Sequence, residues 1–335
     1  MSFQINIKAN MATELCQILD SRTINKVPTT KINTQKVLVT NSKGVEKTVD
    51  MPYYSGNAFR GALRRECLEI VLEKMIEKKL TIDSRDFNLM NAGGGNDFQA
   101  QLPKVAAEIR ELNPIISVFG ASLAISSKII TPSFMPYKNI GDGILEYYTY
   151  ETEEGYIVNT ISATEMNTKF DDILNDKGNA RFLTPAQKQE WCESILENTK
   201  ARSEERADKT KEKTTKKESI QSRIAREYII RGTNLYSSLQ ESQPLTQIER
   251  GMIYMALERL SLKSIGANTA KGFGKVNYSI EIEDGGVIET FVDEYLRPEI
   301  IKKDYKENTI DDMAAFDDWL DGLSEANLNI AELMK

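Results

Sequence analysis

The chain has 335 residues, 40% of them hydrophobic and 28% charged, with a formal net charge of −7; this is the composition of a soluble globular protein with room for one elaborated domain or two ordinary ones. It contains no histidine, which excludes every mechanism that needs an imidazole base and removes the commonest metal ligand. The three cysteines, Cys16, Cys67 and Cys192, lie far apart with no Cys-x-x-Cys pair, so no zinc site is encoded and buried thiols in a reducing compartment are expected.

The negative charge is local. From Glu281 to Lys335 there are 16 acidic residues against 5 basic ones, whereas the preceding 280 residues hold 38 basic and 34 acidic. A polyanionic partner is therefore compatible with the low overall isoelectric point. No run of 18 apolar residues occurs, and "MSFQINIKAN" lacks a signal-peptide core. A cytoplasmic protein without a membrane partner is expected.

In chain order, "FQINIKA" alternates Phe3, Ile5, Ile7 and Ala9 with polar residues, the pattern of a half-buried strand. "QKVLVT" and "KTVDM" read as strands joined by the turn "NSKG". In "YYSGNAFRGALRRECLEIVLEKMIEKKL" the residues Phe59, Leu63, Cys67, Ile70, Val71 and Leu72 trace an apolar helical face, with Ser55 or Asn57 placed to cap its start. Arg60 and Arg64, at i and i+4, share one face, with Arg65 beside them. A helix opening behind Ser-Gly-Asn is an intrinsic anion site; against this stands a solvated arginine face paired with Glu66 and Glu69.

"NAGGGND" reads as a flexible loop. The apolar "PIISVFGASLAIS" leads into "KIITPSFMPY", a strand ended by Pro132 and Pro136. Residues 200–217, "KARSEERADKTKEKTTKK", carry eight basic and four acidic residues and no large apolar side chain. That composition cannot offset its ordering entropy, and a mobile, net-positive loop is expected.

"AREYIIRGTNLYSSLQ" reads as a strand interrupted at Gly232, with Tyr228, Ile230 and Leu235 inward. "TQIERGMIYMALERLSL" is an amphipathic helix with Ile248, Met252, Met255, Leu257 and Leu260 as its apolar residues, and "KVNYSIEIE" alternates as a strand. The order strand, helix, then strand, helix, glycine loop, strand predicts an α+β, ferredoxin-like sheet with helices on one face and large insertions. Phe316, Trp319, Leu320 and Leu323 recur at helical spacing near the C-terminus, a docking helix within an acidic tail.

The segment "IGANTAKGFGKV", Ile265 to Val276, needs separate treatment. A nucleotide P-loop requires G-x-x-x-x-G-K-[ST] opening a helix after a strand. Here Lys271 precedes Gly272, no hydroxyl residue follows, and the flanking elements are reversed. The dinucleotide fingerprint G-x-G-x-x-G fails as well. Two readings stand: a loop that presents Lys271, Phe273 and Lys275 to a phosphate backbone and its bases, or a helix C-cap with Phe273 in the core.

Four segments in order resemble the RAMP superfamily of CRISPR-associated proteins, and within it the backbone subunit of guide-RNA effector complexes. "PYYSGNAFRGALRRECLE" resembles the family's P-x-x-x-G-S-x-x-[RK]-G-x-[LI]-R, and "ISVFGA" its Leu-Phe-Gly element. "EYIIRGTNLYSSLQ" resembles the Gly-Thr strand, and "IERGMIYMALERLSLKSIGANTAKGFGKV" the helix with its glycine-rich loop. They cover about a third of the chain between residues 52 and 276, and length and insertions look closest to type IV systems. The resemblance implies a single RRM-like domain over 1–335, with a helical or loop insertion at 80–115, a thumb-like hairpin insertion at 155–225 and an acidic tail at 285–335.

It also implies a guide-RNA scaffold that is not an enzyme, needs no cofactor or metal, and assembles with copies of itself, other effector subunits and a complementary target nucleic acid. The implied RNA contacts are Ser55, Gly56, Asn57, Arg60, Arg64 and Arg65; Asn268, Thr269, Lys271, Gly272, Phe273 and Lys275; Met166 as a thumb wedge; and Lys209, Lys211 and Lys213 in the basic loop. Such a protein holds backbone shape while base pairing reads sequence. The alternative is a metal-dependent endoribonuclease cutting target RNA through Asp20, the one acid near the relevant place, although it lacks a second carboxylate. A third reading is a multimer formed without RNA, acidic tail against a neighbour's basic face.

Overall fold

In the computed structural model, residues 3–17, 20–24, 27–40, 46–93, 103–121, 125–139, 145–147, 158–165, 182–189, 222–330 and 333 are described. The chain forms two compact units, one of Met1–Ser162 with Ala225–Lys335 and the other of Ala163–Ile224. Within the second, Thr184 opens a short helix by exchanging hydrogen bonds with Gln187, and Leu183 is buried.

The first unit opens with β1 (Gln4–Met11), β2 (Asp20–Ile24), β3 (Val27–Lys31), β4 (Thr34–Thr40) and β5 (Glu46–Pro52). Helices α1 (Gly56–Glu77), α2 (Ser84–Ala92), α3 (Pro103–Leu112) and α4 (Pro114–Phe119) follow. Next come β6 (Ile129–Ile130), β7 (Met135–Asn139), β8 (Leu145–Tyr147), β9 (Val158–Glu165), β10 (Ser222–Ile229) and β11 (Asn234–Glu241). The chain closes with α5 (Gln247–Ser261), β12 (Val276–Ile282), β13 (Gly286–Val292), β14 (Pro298–Tyr305), α6 (Glu307–Asp321) and α7 (Glu325–Leu328).

The main sheet has the order β14-β13-β12-β1-β11-β7-β8, with β6 also paired to β11. Its centre, β12-β1-β11-β6/β7, is the 4-1-3-2 order of a ferredoxin-like fold, and β1 runs antiparallel to both neighbours. The fold is α+β, as the alternating patterns predict. Ile5, Ile7 and Ala9 stand opposite Leu239, Ser237 and Leu235 on one side and Ile282, Ile280 and Tyr278 on the other. All nine are buried. A period of two places this set on one face.

α1 lays Phe59, Leu63, Cys67, Leu68, Val71 and Leu72 into the core. Each such aliphatic or aromatic chain gains about 1.5–3 kcal/mol on leaving water. Burial pushes the Cys67 thiol up, so it is neutral packing material. Glu66 and Glu69, which spacing would pair with the α1 arginines, instead face Lys263 at 2.6 and 2.7 Å.

α5 starts from a reciprocal cap in which Thr246 and Glu249 bond each other's backbone amides. Its Gly251 touches α6: a Cβ there would lie 1.9 Å from the Asp312 carbonyl oxygen. Beside it Arg250 grips the buried Asp312 carboxylate with two bonds of 2.7 and 2.8 Å. Phe316 is buried and stacks on Trp319 at 5.7 Å, with Leu320 and Leu323 buried behind them.

Several local expectations change. Pro136 does not end a strand but sits inside β7 opposite Leu235. Tyr228 and Ile230 are half-buried, while Ile229 between them takes the inward position. "PIISVF" is a buried helix, started by the Asn113 side chain accepting from the Ile116 amide. Residues 286–305 extend the sheet as β13 and β14, with a register shift between Glu289 and Thr290. Lys302 and Lys303 are exposed on the outermost strand and pair back to Glu289 and Glu258. Among the described residues, no helix is long and apolar enough to cross a membrane.

The glycine at the α5–α6 crossing yields a direct test. Gly251→Ala forces the helices apart and should lower stability by about 1–3 kcal/mol, read as a lower urea midpoint at unchanged slope.

Candidate nucleic-acid interface

Beyond Met11 the chain runs between two partners. On one side Leu15 and Ile229 exchange backbone hydrogen bonds of 2.9 and 2.8 Å. On the other lies the glycine loop. Lys275 O accepts from the amides of Ala12 and Thr13 (3.0 and 3.2 Å), Gly274 N donates to Glu14 O (2.7 Å), and Ala267 N donates to Cys16 O (2.6 Å). The Thr13 hydroxyl also accepts from Lys275 N at 3.0 Å.

The loop closes on itself through Ile265 N to Gly274 O, 2.9 Å. Gly266, Gly272 and Gly274 all have positive φ. A Cβ on Gly274 would lie 1.8 Å from Ile265 O, and one on Gly266 would lie 2.5 Å from Cys16 O. These two glycines therefore serve close backbone approach within the protein, not approach to a ligand. Between them Asn268 takes a left-handed conformation, and Thr269–Lys271 make a single 3₁₀ turn. Thr269 and Lys271 are exposed, and Asn268 and Lys275 half-exposed. Phe273 is neither core nor free platform: it is half-buried, edge-on to Tyr228 at 6.2 Å.

The start of α1 joins this cluster. Tyr54 is buried, and burial pushes its pKa up to about 12 against the opposing effects of the Arg65 charge and the Gly266 backbone. Its backbone bridges Phe134 (3.1 and 2.8 Å). Ser55 occupies the N-cap position without a side-chain cap bond. Its amide donates to Gln17 Oε1 at 2.8 Å, and the Gly56 amide reaches Ser133 Oγ at 3.4 Å. These two amides, read from sequence as anion donors, are engaged inside the fold. Asn57 is exposed.

The three arginines divide. Arg65 is exposed on the side of Tyr54 and the glycine loop. Arg60 and Arg64 turn toward the end of α2 and the chain after α4. Arg64 is only 8% exposed. Its Nε and Nη2 donate to the carbonyls of Met90 and Leu89 at 2.6 and 2.8 Å, closing the C-terminus of α2. Burial and then the neighbouring Arg60 charge lower its pKa to about 10. Arg64 is thus a buried helix cap, unlike the exposed phosphate contact its i+4 spacing from Arg60 suggests.

The structure brings together Asn57, Arg65, Asn268, Thr269, Lys271, Phe273 and Lys275 around one end of the sheet. Exposed Arg231 joins them, since the adjoining Gly232 amide donates to Met11 O at 2.7 Å. Gln17 and Tyr228 are further members. Tyr54 directly precedes the quoted Ser-Gly-Asn, but no sequence signal marks Gln17 or Arg231. Met166, Lys209, Lys211 and Lys213 lie outside the described residues. Asp20 begins β2, paired in register with Lys31 of β3. Among the described residues, no group of three or more His, Cys, Asp or Glu is placed to hold a metal ion.

Two substitutions test this geometry. Gly274→Ala combines a left-handed backbone with a clash and should cost about 2 kcal/mol or more. Arg64→Met strands two carbonyls at the end of α2 and should cost about 2–4 kcal/mol. Urea denaturation measures both.

No family model matches the sequence, and no curated protein matches it. Among solved structures the chain is similar to one described as "Type IV-B CRISPR Complex", with a TM-score of 0.47, 15% sequence identity, and 83% of this chain and 90% of that chain covered. With that degree of overlap, the observed strand order remains the ground for the fold.

Proposed function

We propose that the chain binds single-stranded guide RNA through its phosphate backbone, as a repeating, non-catalytic subunit of a CRISPR effector ribonucleoprotein. One observation carries this reading. Segments lying some 200 residues apart in the sequence, the start of α1 and the glycine loop, are stitched together through the stretch after β1, where Gln17 Oε1 accepts from the Ser55 amide and Cys16 O accepts from Ala267 N. Arg65, Lys271, Lys275 and Arg231 stand at the end of the sheet that also carries the edge-on pair of half-buried rings, Phe273 and Tyr228. Interleaved cations and aromatics, without a nucleotide-loop geometry, suit a strand gripped by charge and stacking with little sequence preference. The same segments carry the RAMP resemblance. On this reading the partners are RNA, further copies of the chain, other effector subunits and a complementary target.

The expected behaviour is length-dependent, sequence-tolerant binding whose log affinity falls against log salt by about 0.7 per phosphate neutralised. Lys271→Ala and Lys275→Ala should each flatten that slope by about 0.7. A flat salt dependence of the unaltered protein overturns the proposal. RNA-loaded protein given complementary target and Mg²⁺ should leave the target intact. Regularly spaced fragments that disappear in Asp20→Ala would instead establish the endoribonuclease.

A further inference from the structure

A recess of about 260 Å³ lies between the start of β1, the end of β11, α5, the β12–β13 turn and α6. Four carboxylates, those of Glu241, Glu283, Asp284 and Asp312, line it together with a single guanidinium, that of Arg250. Arg250 is committed to Asp312 by bonds of 2.7 and 2.8 Å and to Leu245 O at 2.9 Å. Glu241 accepts from the Phe3 and Leu245 amides at 3.0 and 3.3 Å, which holds its carboxylate in place without neutralising it. Glu283 and Asp284 are exposed and make no ion pair with a described residue. Negative charge is thus in excess over its internal partners.

Tyr254 lines the same recess. It is only 4% exposed, and its ring lies 5.9 Å from that of Phe3. Its hydroxyl makes no hydrogen bond with a described residue. The charges acting on that hydroxyl are those of Asp312 and Arg250, both of them lining residues, so it is directed at the recess. Burial first, and then the Asp312 charge, push its pKa up to about 12, and the phenol stays uncharged at neutral pH. A buried phenol oxygen without a partner is a group that an N–H of a ligand would satisfy.

The walls are fixed by hydrogen bonds that need no ligand. The β12–β13 turn is closed by Gly285 N to Ile282 O at 2.9 Å and anchored to β1 by Glu283 N to Gln4 O at 3.0 Å. Gly285 O accepts from Lys306 N at 3.0 Å and from the Thr309 hydroxyl at 2.8 Å, which ties the turn to the start of α6. The acceptors therefore stand in place before a ligand arrives.

We propose that this recess binds an organic cation, a guanidinium or ammonium group on an apolar stem, supplied by an arginine or lysine side chain of a partner protein or by a free polyamine. A concavity lined by one sign of charge concentrates the opposite sign. Its carboxylates accept N–H groups in short, charge-assisted bonds, and the phenol oxygen takes another. Phe3 and Tyr254 offer apolar contact for the stem. A metal ion fits less well, because among the described residues no three acidic side chains converge as its coordination requires. The same charges repel a phosphate backbone, and the site shares no residue with the RNA-binding surface proposed above.

Titration calorimetry of the full chain tests the site with two probes of equal charge, spermidine and an acetylated, amidated Arg-Lys-Arg tripeptide, each against sodium chloride at matched ionic strength. Saturable binding of at least one probe is expected, weakened about fivefold or more in Glu283→Gln and in Tyr254→Phe. Asp318→Asn, which removes an exposed charge outside the recess, should leave it unchanged. Glu283 lies on an exposed turn, so its variant keeps the fold. No saturable binding of either probe, binding unchanged in Glu283→Gln or in Tyr254→Phe, or an equal loss in Asp318→Asn overturns the proposal; the last outcome reports only the diffuse acidity of the C-terminal region. Tighter binding of the tripeptide assigns the recess to a partner's side chain, and tighter binding of spermidine assigns it to a free polyamine.

Discussion

Five residues after β1 have their backbone claimed by two flanking segments, and the end of the sheet that carries the cations and aromatics is organised by that clasp. The amides of Ala12 and Thr13 and the carbonyls of Glu14 and Cys16 are answered by the glycine loop, and Leu15 by Ile229. Irregular chain can be buried only when its polar backbone is paired. Here the pairing comes from two segments more than 200 residues away in sequence. Gln17, at the end of the same stretch, holds through its side chain the amide of Ser55, the N-cap residue of α1. Without the clasp, α1, the glycine loop and the end of β10 would have no fixed relation, and no common surface of cations and aromatics would exist.

This constraint explains the composition of the loop. Gly274 and Gly266 are small because carbonyls of Ile265 and Cys16 lie where their side chains would be. Gly272 differs: it needs a left-handed backbone, but its nearest neighbour would be a Leu296 methyl at 3.7 Å. Two apparently separate roles, closing the sheet and presenting Lys271 and Lys275, are therefore served by one backbone path.

Periodic features were legible in the sequence. The alternation of Ile5, Ile7 and Ala9, the face of α1 and the order of elements lead to the observed sheet, because burial on one face imposes a period that residue types record. The motif comparison picked out segments that the fold brings to one end of the sheet, but not the state of each side chain. Whether Arg64 reaches solvent depends on where α2 ends, and whether the Ser55 amide is available depends on Gln17. Both are long-range facts without local signature. β13 and β14 escaped because exposed strands near a sheet edge carry charged residues on one side and dilute the alternation. Pro136 misled because a strand tolerates proline where its missing donor is not needed. For Tyr228 and Ile230 the neighbouring Gly232 obscured which phase of the alternation faces inward.

The boundary of the main sheet has a further meaning. Among the described residues β14 is its last strand, with one row of backbone donors and acceptors unmatched by a neighbour in the sheet order. An open edge of this kind is a template on which any extended chain could grow. Two features blunt it: the register shift at Glu289 and Thr290, and the consecutive exposed ammonium groups of Lys302 and Lys303. Strands whose edges stay open and flat can fuse edge to edge between molecules. The lysines of β14 thus act against backbone pairing between molecules: burying the strand edge would bring like ammonium charges together.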